Sequence, residues 1–286
     1  MISRLRMLVF GALVITIMIA QFGNSKAKNM SEITFNLGRN IVETAKGSGV
    51  PKFTVRNVSG LVSYSVNDLP PDVIVTFSRP TLEASFTSVF AATMYADEDH
   101  KNNLIATDIV LQFSTDQVRA HNTGQEFITG IISKFTNKKW ARHIPDICPA
   151  VTGRSTYTQA DGTIGQFEAC PLDPLHPINP TDWRTLAGTG LSYEWVGNGV
   201  IATLRVDSSE DNRGITYRAT LEYVDQIIKS KRQAKNLSEK LAEGDKKGWN
   251  STFKHTENVK RLAEEVRGAE VAAVKRGDKL VMRVAE

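Results

Sequence analysis

The sequence predicts an α+β protein: antiparallel sheets covered by amphipathic helices, arranged in two lobes, after an N-terminal membrane or signal helix. Three observations predict it. Apolar and polar residues alternate over several short stretches, the pattern of a sheet with one dry and one wet face. Twice these stretches are followed by a longer run with apolar residues at helical spacing. The chain also opens on an uncharged apolar run behind a positive leader.

That opening run is MLVFGALVITIMIAQF, Met7 to Phe22, in which only Thr16 and Gln21 are polar. Its apolar surface is built by Met7, Leu8, Val9, Phe10, Leu13, Val14, Ile15, Ile17, Met18, Ile19 and Phe22. A membrane span needs roughly 20 apolar residues and a signal-peptide core about 7–15. Sixteen residues fall between the two. Leu5 to Gly23 extends the run to nineteen residues with one charge, enough for a tilted span. Ser25-Lys26-Ala27 offers a cleavage point after Ala27, but Gln21, Asn24 and Lys26 make a polar cleavage region, which favours an uncleaved signal-anchor. A soluble core helix would show a polar face, and this run has none. The expectation is a single-pass protein of the cytoplasmic membrane with its body outside, or a secreted or periplasmic protein after cleavage.

The charge divides along the chain. Residues 1–28 carry four Lys/Arg and no acid, residues 29–224 carry 16 against 21 Asp/Glu, and residues 225–286 carry 15 against 10. The basic C-terminal part is mixed in sign on expected helices, the usual pattern of a solvated face. An anionic lipid surface or a protein partner is the sharper reading there, and an exported chain has little occasion to meet nucleic acid.

Cys148 and Cys170 are the only cysteines, and two is the number that pairs completely in an oxidising compartment. Each is followed by Pro, and the segment between is rich in Gly, Thr and Gln. A bridge here would stabilise the fold by about 3 kcal/mol through loop entropy. The boundaries expected are 1–28 for the leader, 29–145 for the first lobe, 146–190 for a Pro-rich loop pinned by the disulfide, and 191–286 for the second lobe. The alternative is that the two lobes form one domain.

In order, Ser31–Lys46 reads as a helix from Ile33, Leu37, Ile41 and Ala45, stopped by Gly47-Ser48-Gly49. Val62–Val66 and Val73–Phe77 read as strands, and Phe86, Phe90 and Met94 as one longer strand. Asp97–Asn103 reads as a polar turn and Ile105–Phe113 as a strand. Thr123-Gly124-Gln125-Glu126 has the form of a capping box before a helix running to about Lys139, whose Phe127, Ile128, Ile131, Ile132 and Phe135 would cover the sheet. Residues 141–190 read as irregular. Leu191–Trp195 and Val200–Val206 make a hairpin turned at Gly197-Asn198-Gly199, with Ile215–Tyr223 as a third strand. A basic helix to about Ala242 follows, then a helix capped by Thr256, then a hairpin of Val271–Val274 with Leu280–Val284 turned at Gly277-Asp278.

No catalytic motif assembles. G-x-S-x-G, the phosphate loop, H-E-x-x-H and C-x-x-C are absent. Gly188-Thr189-Gly190 lacks the third glycine of a dinucleotide fingerprint and enters a strand. Ser251-Thr252-Phe253-Lys254 spells S-x-x-K without its partner motifs downstream, and Arg276-Gly277-Asp278 is explained by a turn. Asp97-Glu98-Asp99-His100 lacks the alternating donors and glycine bend of a calcium loop. No cofactor or metal is called for. The leading expectation is an envelope binding or interaction protein: an inhibitor, an immunity-like protein or an assembly factor. The alternative is an exported hydrolase whose site is built from dispersed loop residues, with Asp99, His100, His143, Asp146 and His176 as candidates.

Overall fold

The computed structural model describes residues 31–97, 104–116, 118–137, 139–167 and 170–284. The apolar run Met7–Phe22, the cleavage point at Ala27, and Asp99 and His100 lie outside them. Glu32–Glu286 form one compact α+β unit. Among the described residues eleven strands make two sheets. The smaller has the order β1-β4-β5, from Glu32–Asn36, Ile74–Arg79 and Leu82–Phe86. The larger has eight strands, all antiparallel, in the order β2-β3-β6-β7-β11-β10-β9-β8. Its members are β2 Thr54–Val58, β3 Leu61–Val66, β6 Val89–Asp97, β7 Asp108–Ser114, β8 Ala141–Arg142, β9 Leu191–Gly197, β10 Val200–Asp211 and β11 Gly214–Asp225. Strands from either side of the Pro-rich loop share this sheet, because β7 pairs with β11 from Ser114↔Arg218 to Asp108↔Val224.

Alternation decides which face is dry. Ile109, Leu111 and Phe113 on β7, and Ala219, Leu221 and Tyr223 on β11, point one way and are buried. The smaller sheet packs on that face: the Phe77 ring stacks on Tyr223 at 3.8 Å, and Phe86 meets Phe113 edge-on at 5.6 Å. The rest is covered by two helices, α2 (His121–Ile132) and α3 (Pro180–Thr189), through Ile128, Ile131, Trp183 and Leu186. Full burial of such side chains is worth about 1.5–3 kcal/mol each, so this layer is the main store of stability. Gly124 on α2 is required by the close approach: a Cβ there would lie 2.0 Å from the Tyr217 ring. The Tyr217 hydroxyl is held in turn by the Trp183 Nε1–H at 2.9 Å and lies 2.6 Å from His121 Nδ1.

Several local expectations are corrected. Ser31–Lys46 is not one helix but β1 followed by α1 (Ile41–Gly47). Ile33 and Leu37 fit both periods, Phe35 between them fits only the alternating one, and parallel pairing of Ile33 and Phe35 with Val75 and Phe77 of β4 decides for the strand. Asn40 then caps α1, its Oδ1 accepting from the amides of Val42 and Glu43 at 2.9 and 3.1 Å. Phe86, Phe90 and Met94 do not share a strand. β5 ends at Phe86, Ser88 takes φ 61° at the turn, and β6 continues in the other sheet. The capping box does not form: α2 begins at His121, and Thr123 lies inside its first turn. That helix ends at Ile132 and a 3-10 turn carries the chain to Phe135.

Within 141–190 the structure adds α3, started by Asn179, whose Oδ1 accepts from the amides of Thr181 and Asp182, with Pro180 in the first turn. The hairpin at Asn198-Gly199 forms as expected, with φ of 42° and 69°. The basic helix, α4, runs Gln226–Lys246, and the last helix, α5, runs Ser251–Arg276. α5 absorbs Val271–Val274, so the C-terminal hairpin is absent. Gly277, at φ 93°, ends the helix instead, and the segment after it bridges Leu280 to Val151.

Candidate interaction site

The α4–α5 helical hairpin is held on the body by two feet. The first foot is electrostatic. Asp225 caps α4, its Oδ1 accepting from the Ile228 amide at 3.2 Å while Oδ2 accepts from Arg79 Nη1 at 2.9 Å, so one carboxylate ties α4 to the smaller sheet. Two turns on, Arg232 reaches the edge of the polar face. Its Nη1 donates to both Asp108 oxygens at 2.9 and 2.7 Å, its Nε and Nη2 to Asp97 Oδ2 at 3.1 and 2.8 Å, and its Nη2 to Thr107 Oγ1 at 2.8 Å. Burial pushes the Asp108 carboxyl above its usual range, against the Thr107 hydroxyl and Arg232 that favour its ionised form.

Between these contacts Lys229 lies 3.7 Å from Glu194, a carboxylate in the middle of β9. Glu194 also lies 2.8 Å from His143 Nδ1 and accepts from Thr203 Oγ1 at 3.1 Å. Burial disfavours its ionised form, but the His143 bond, the Lys229 charge and the Thr203 hydroxyl together outweigh it, and its pKa is held below the usual carboxylate range. An open groove of about 700 Å³ lies between α4 and this polar face, with Glu194, Arg205, Arg218, Thr220 and Lys229 among its lining.

The second foot is the disulfide loop. Cys148 and Cys170 are bridged, with Cα atoms 5.6 Å apart. Around them Ile144, Ala150, Phe167 and Val281 form a small apolar cluster, so the bridge pins the surface on which the C-terminal segment rests. Glu270 of α5 accepts from the Ala150 amide at 3.0 Å, and Arg283 donates to the Cys148 carbonyl at 2.6 Å. Asp278 Oδ2 accepts from the Ser155 amide at 3.1 Å and its hydroxyl at 2.5 Å, while Arg276 donates to the same hydroxyl.

Between the feet the hairpin is in water. Residues 233–240 of α4 and 256–261 of α5 are all exposed. The helices meet at their turn, where Ser251 packs on Gly244 so closely that a Cβ on Gly244 would lie 1.9 Å from the Ser251 hydroxyl. Asp245 there accepts from the Thr252 amide at 3.1 Å and from its hydroxyl. Along α5, Val259, Leu262, Ala263 and Val266 fall at helical spacing and, with Ile147 of the disulfide loop, line a second groove of about 360 Å³. Asp146, Arg267, Glu270 and Arg283 complete its lining. An apolar strip edged by both charge signs suits a protein segment better than a small molecule.

The residues singled out in the sequence separate. His143 is buried against Glu194. Asp146 is fully exposed, 4.0 Å from Arg283. His176 Nε2 lies 3.2 Å from the Tyr157 hydroxyl. Ser251 of the S-x-x-K tetrad is used in the helix turn. Arg232, Glu194, Glu270, Asp278 and Arg283 had no individual signal in the sequence, because each has a partner more than a dozen residues away, from Glu270 with Arg283 through Glu194 with His143 up to Arg232 with Asp97. Among the described residues no group of three or more His, Cys, Asp or Glu side chains converges as a metal site, and no helix is long and apolar enough to cross a membrane. Comparison with known proteins finds no matching family, no similar curated protein and no similar solved structure, so the functional reading rests on this geometry.

Proposed function

We propose that the chain is an interaction protein of the cell envelope. An N-terminal membrane helix, Met7–Phe22, tethers it, the α+β body lies on the extracytoplasmic side, and the body binds a protein partner through the α5 groove. The observation that carries the reading is the groove itself: exposed Val259 and half-buried Leu262 in line with Val266 on a helix that buries only Val266 and Ala273, beside Ile147, with ion-pairing side chains around them. The Cys148–Cys170 bridge supports the compartment, since such bridges persist where the surroundings are oxidising.

The test is photo-crosslinking in the host envelope from a reactive residue placed at Val259. A discrete adduct expected from Val259 should be missing from a control at Leu175, an exposed leucine outside the groove, and should vanish in V259E/L262E. Equal labelling from both positions would overturn the reading.

One observation favours the alternative of an exported hydrolase: Glu194, with His143 behind it, lines the larger groove. Hydrolytic activity of the purified chain that is lost in E194Q without loss of folding would support that reading over the first.

A further inference from the structure

The turn of the α4–α5 hairpin carries a second surface, distinct in chemistry from the groove. Trp249 is 58% exposed and Phe253 68% exposed. The chain's other three tryptophans, Trp140, Trp183 and Trp195, are all buried, so exposure of an indole is a property of this one place. Gly248 at φ 75° and Asn250 at φ 51° flank Trp249 and set it out from the turn. Lys246, Lys247 and Lys254 are exposed and lie within three residues of Trp249 or Phe253 in the chain, and the Lys247 ammonium is 4.9 Å from the Trp249 ring centre.

The acids at the turn are already engaged, Asp245 by Thr252 and Glu243 by Lys247. Residues 226–276 carry 13 Lys/Arg against 7 Asp/Glu, a net +6 that disfavours a second copy of the same hairpin as occupant. Exposed Trp and Phe among lysines match the boundary of an anionic bilayer, where aromatic rings sit at headgroup depth and ammonium groups meet lipid phosphates.

We propose that this turn docks on an anionic phospholipid surface, with Trp249 and Phe253 at the headgroup boundary and Lys246, Lys247 and Lys254 on the phosphates. The inference rests on the reading of a membrane-held chain. It makes the hairpin a strut that sets the distance between the membrane and the α5 groove.

The experiment uses the full chain with vesicles of phosphatidylcholine, with and without phosphatidylglycerol, and with bromine-labelled acyl chains. Because the other indoles are buried, the lipid-quenchable part of the emission reports Trp249, and W249F identifies it. The expected result is quenching and a blue shift in phosphatidylglycerol vesicles. The docked-to-undocked ratio should fall roughly fivefold for each of K246Q, K247Q and K254Q, and should fall also in F253S. If the chain sediments with the vesicles while Trp249 stays open to aqueous iodide and unaffected by bromolipid, the docking is overturned and the tether survives. If the chain sediments with no vesicle, both are overturned. Equal quenching in pure phosphatidylcholine would overturn the anionic selectivity. Shielding of Trp249 only on adding envelope proteins would assign the turn to a protein and overturn the lipid contact.

Discussion

Replacing Arg232 by Ala should loosen the hairpin's first foot, leaving the Asp225–Arg79 tie and the folded sheets in place. The guanidinium makes five hydrogen bonds, to Asp97, Asp108 and Thr107. Asp108 is only 6% exposed, so in the variant a nearly buried carboxylate loses both Arg232 bonds and keeps the Thr107 hydroxyl at 2.6 Å. Removing one member of a fully buried pair costs about 3–5 kcal/mol. Here the Arg232 side chain is 32% exposed and Asp97 30%, so water can enter, which lowers the expected cost to about 2–3 kcal/mol.

The next eight residues of α4 bury nothing, so this loss falls on the attachment of the helix and not on the core. Hydrogen exchange is the assay. Amides of α4 should exchange roughly 30- to 150-fold faster, one decade per 1.4 kcal/mol, while those of β10 and β11 keep their protection. Adding D108N to R232A removes the stranded charge and should recover part of the loss. Unchanged exchange in α4, or equal loss across β10 and β11, would refute the argument that Arg232 holds a locally independent arm.

The same geometry makes further predictions. Cys148→Ser with Cys170→Ser should lower stability by about 3 kcal/mol from loop entropy, read by denaturant unfolding, and should raise proteolysis of the segment after Gly277, which rests on the pinned loop. Gly124→Ala should cost about 3 kcal/mol or more in thermal unfolding, because the new methyl meets a Tyr217 ring that Trp183 holds and that cannot swing aside. Glu194 has a folded pKa below its unfolded value, so its contribution to stability is present above the unfolded pKa of about 4.3 and is lost as pH falls through the folded one. Glu194→Gln should therefore lower the Tm at neutral pH and flatten the decline on acidification; an identical pH profile in the variant would contradict the assignment. Asp278→Ala should detach the end of α5 from Ser155 at a cost of about 1–2 kcal/mol, seen as faster exchange in the last turns of α5.

What the sequence determined by itself was whatever depends on near neighbours. The alternation on β7, β9, β10 and β11 is visible residue by residue, and so is the Asn198-Gly199 turn, because pleat and turn geometry act over two to four positions. The two cysteines could be paired because there was no other choice. The start of α3 at Asn179-Pro180 was equally legible and lay hidden among prolines that read as loop.

Tertiary structure alone decided the rest. Ile33 and Leu37 satisfy both a helical and an alternating pattern, and β4, about forty residues on, selects the strand. Val271–Val274 would serve in a hairpin or a helix, and α5 keeps them because Glu270, Arg276 and Asp278 find their partners on the disulfide loop. The Arg232 clamp, the Glu194 cluster and the α5 groove join residues distant in the chain. Local periodicity carries no information about such pairs; packing the two sheets, and bridging the loop beside them, creates them.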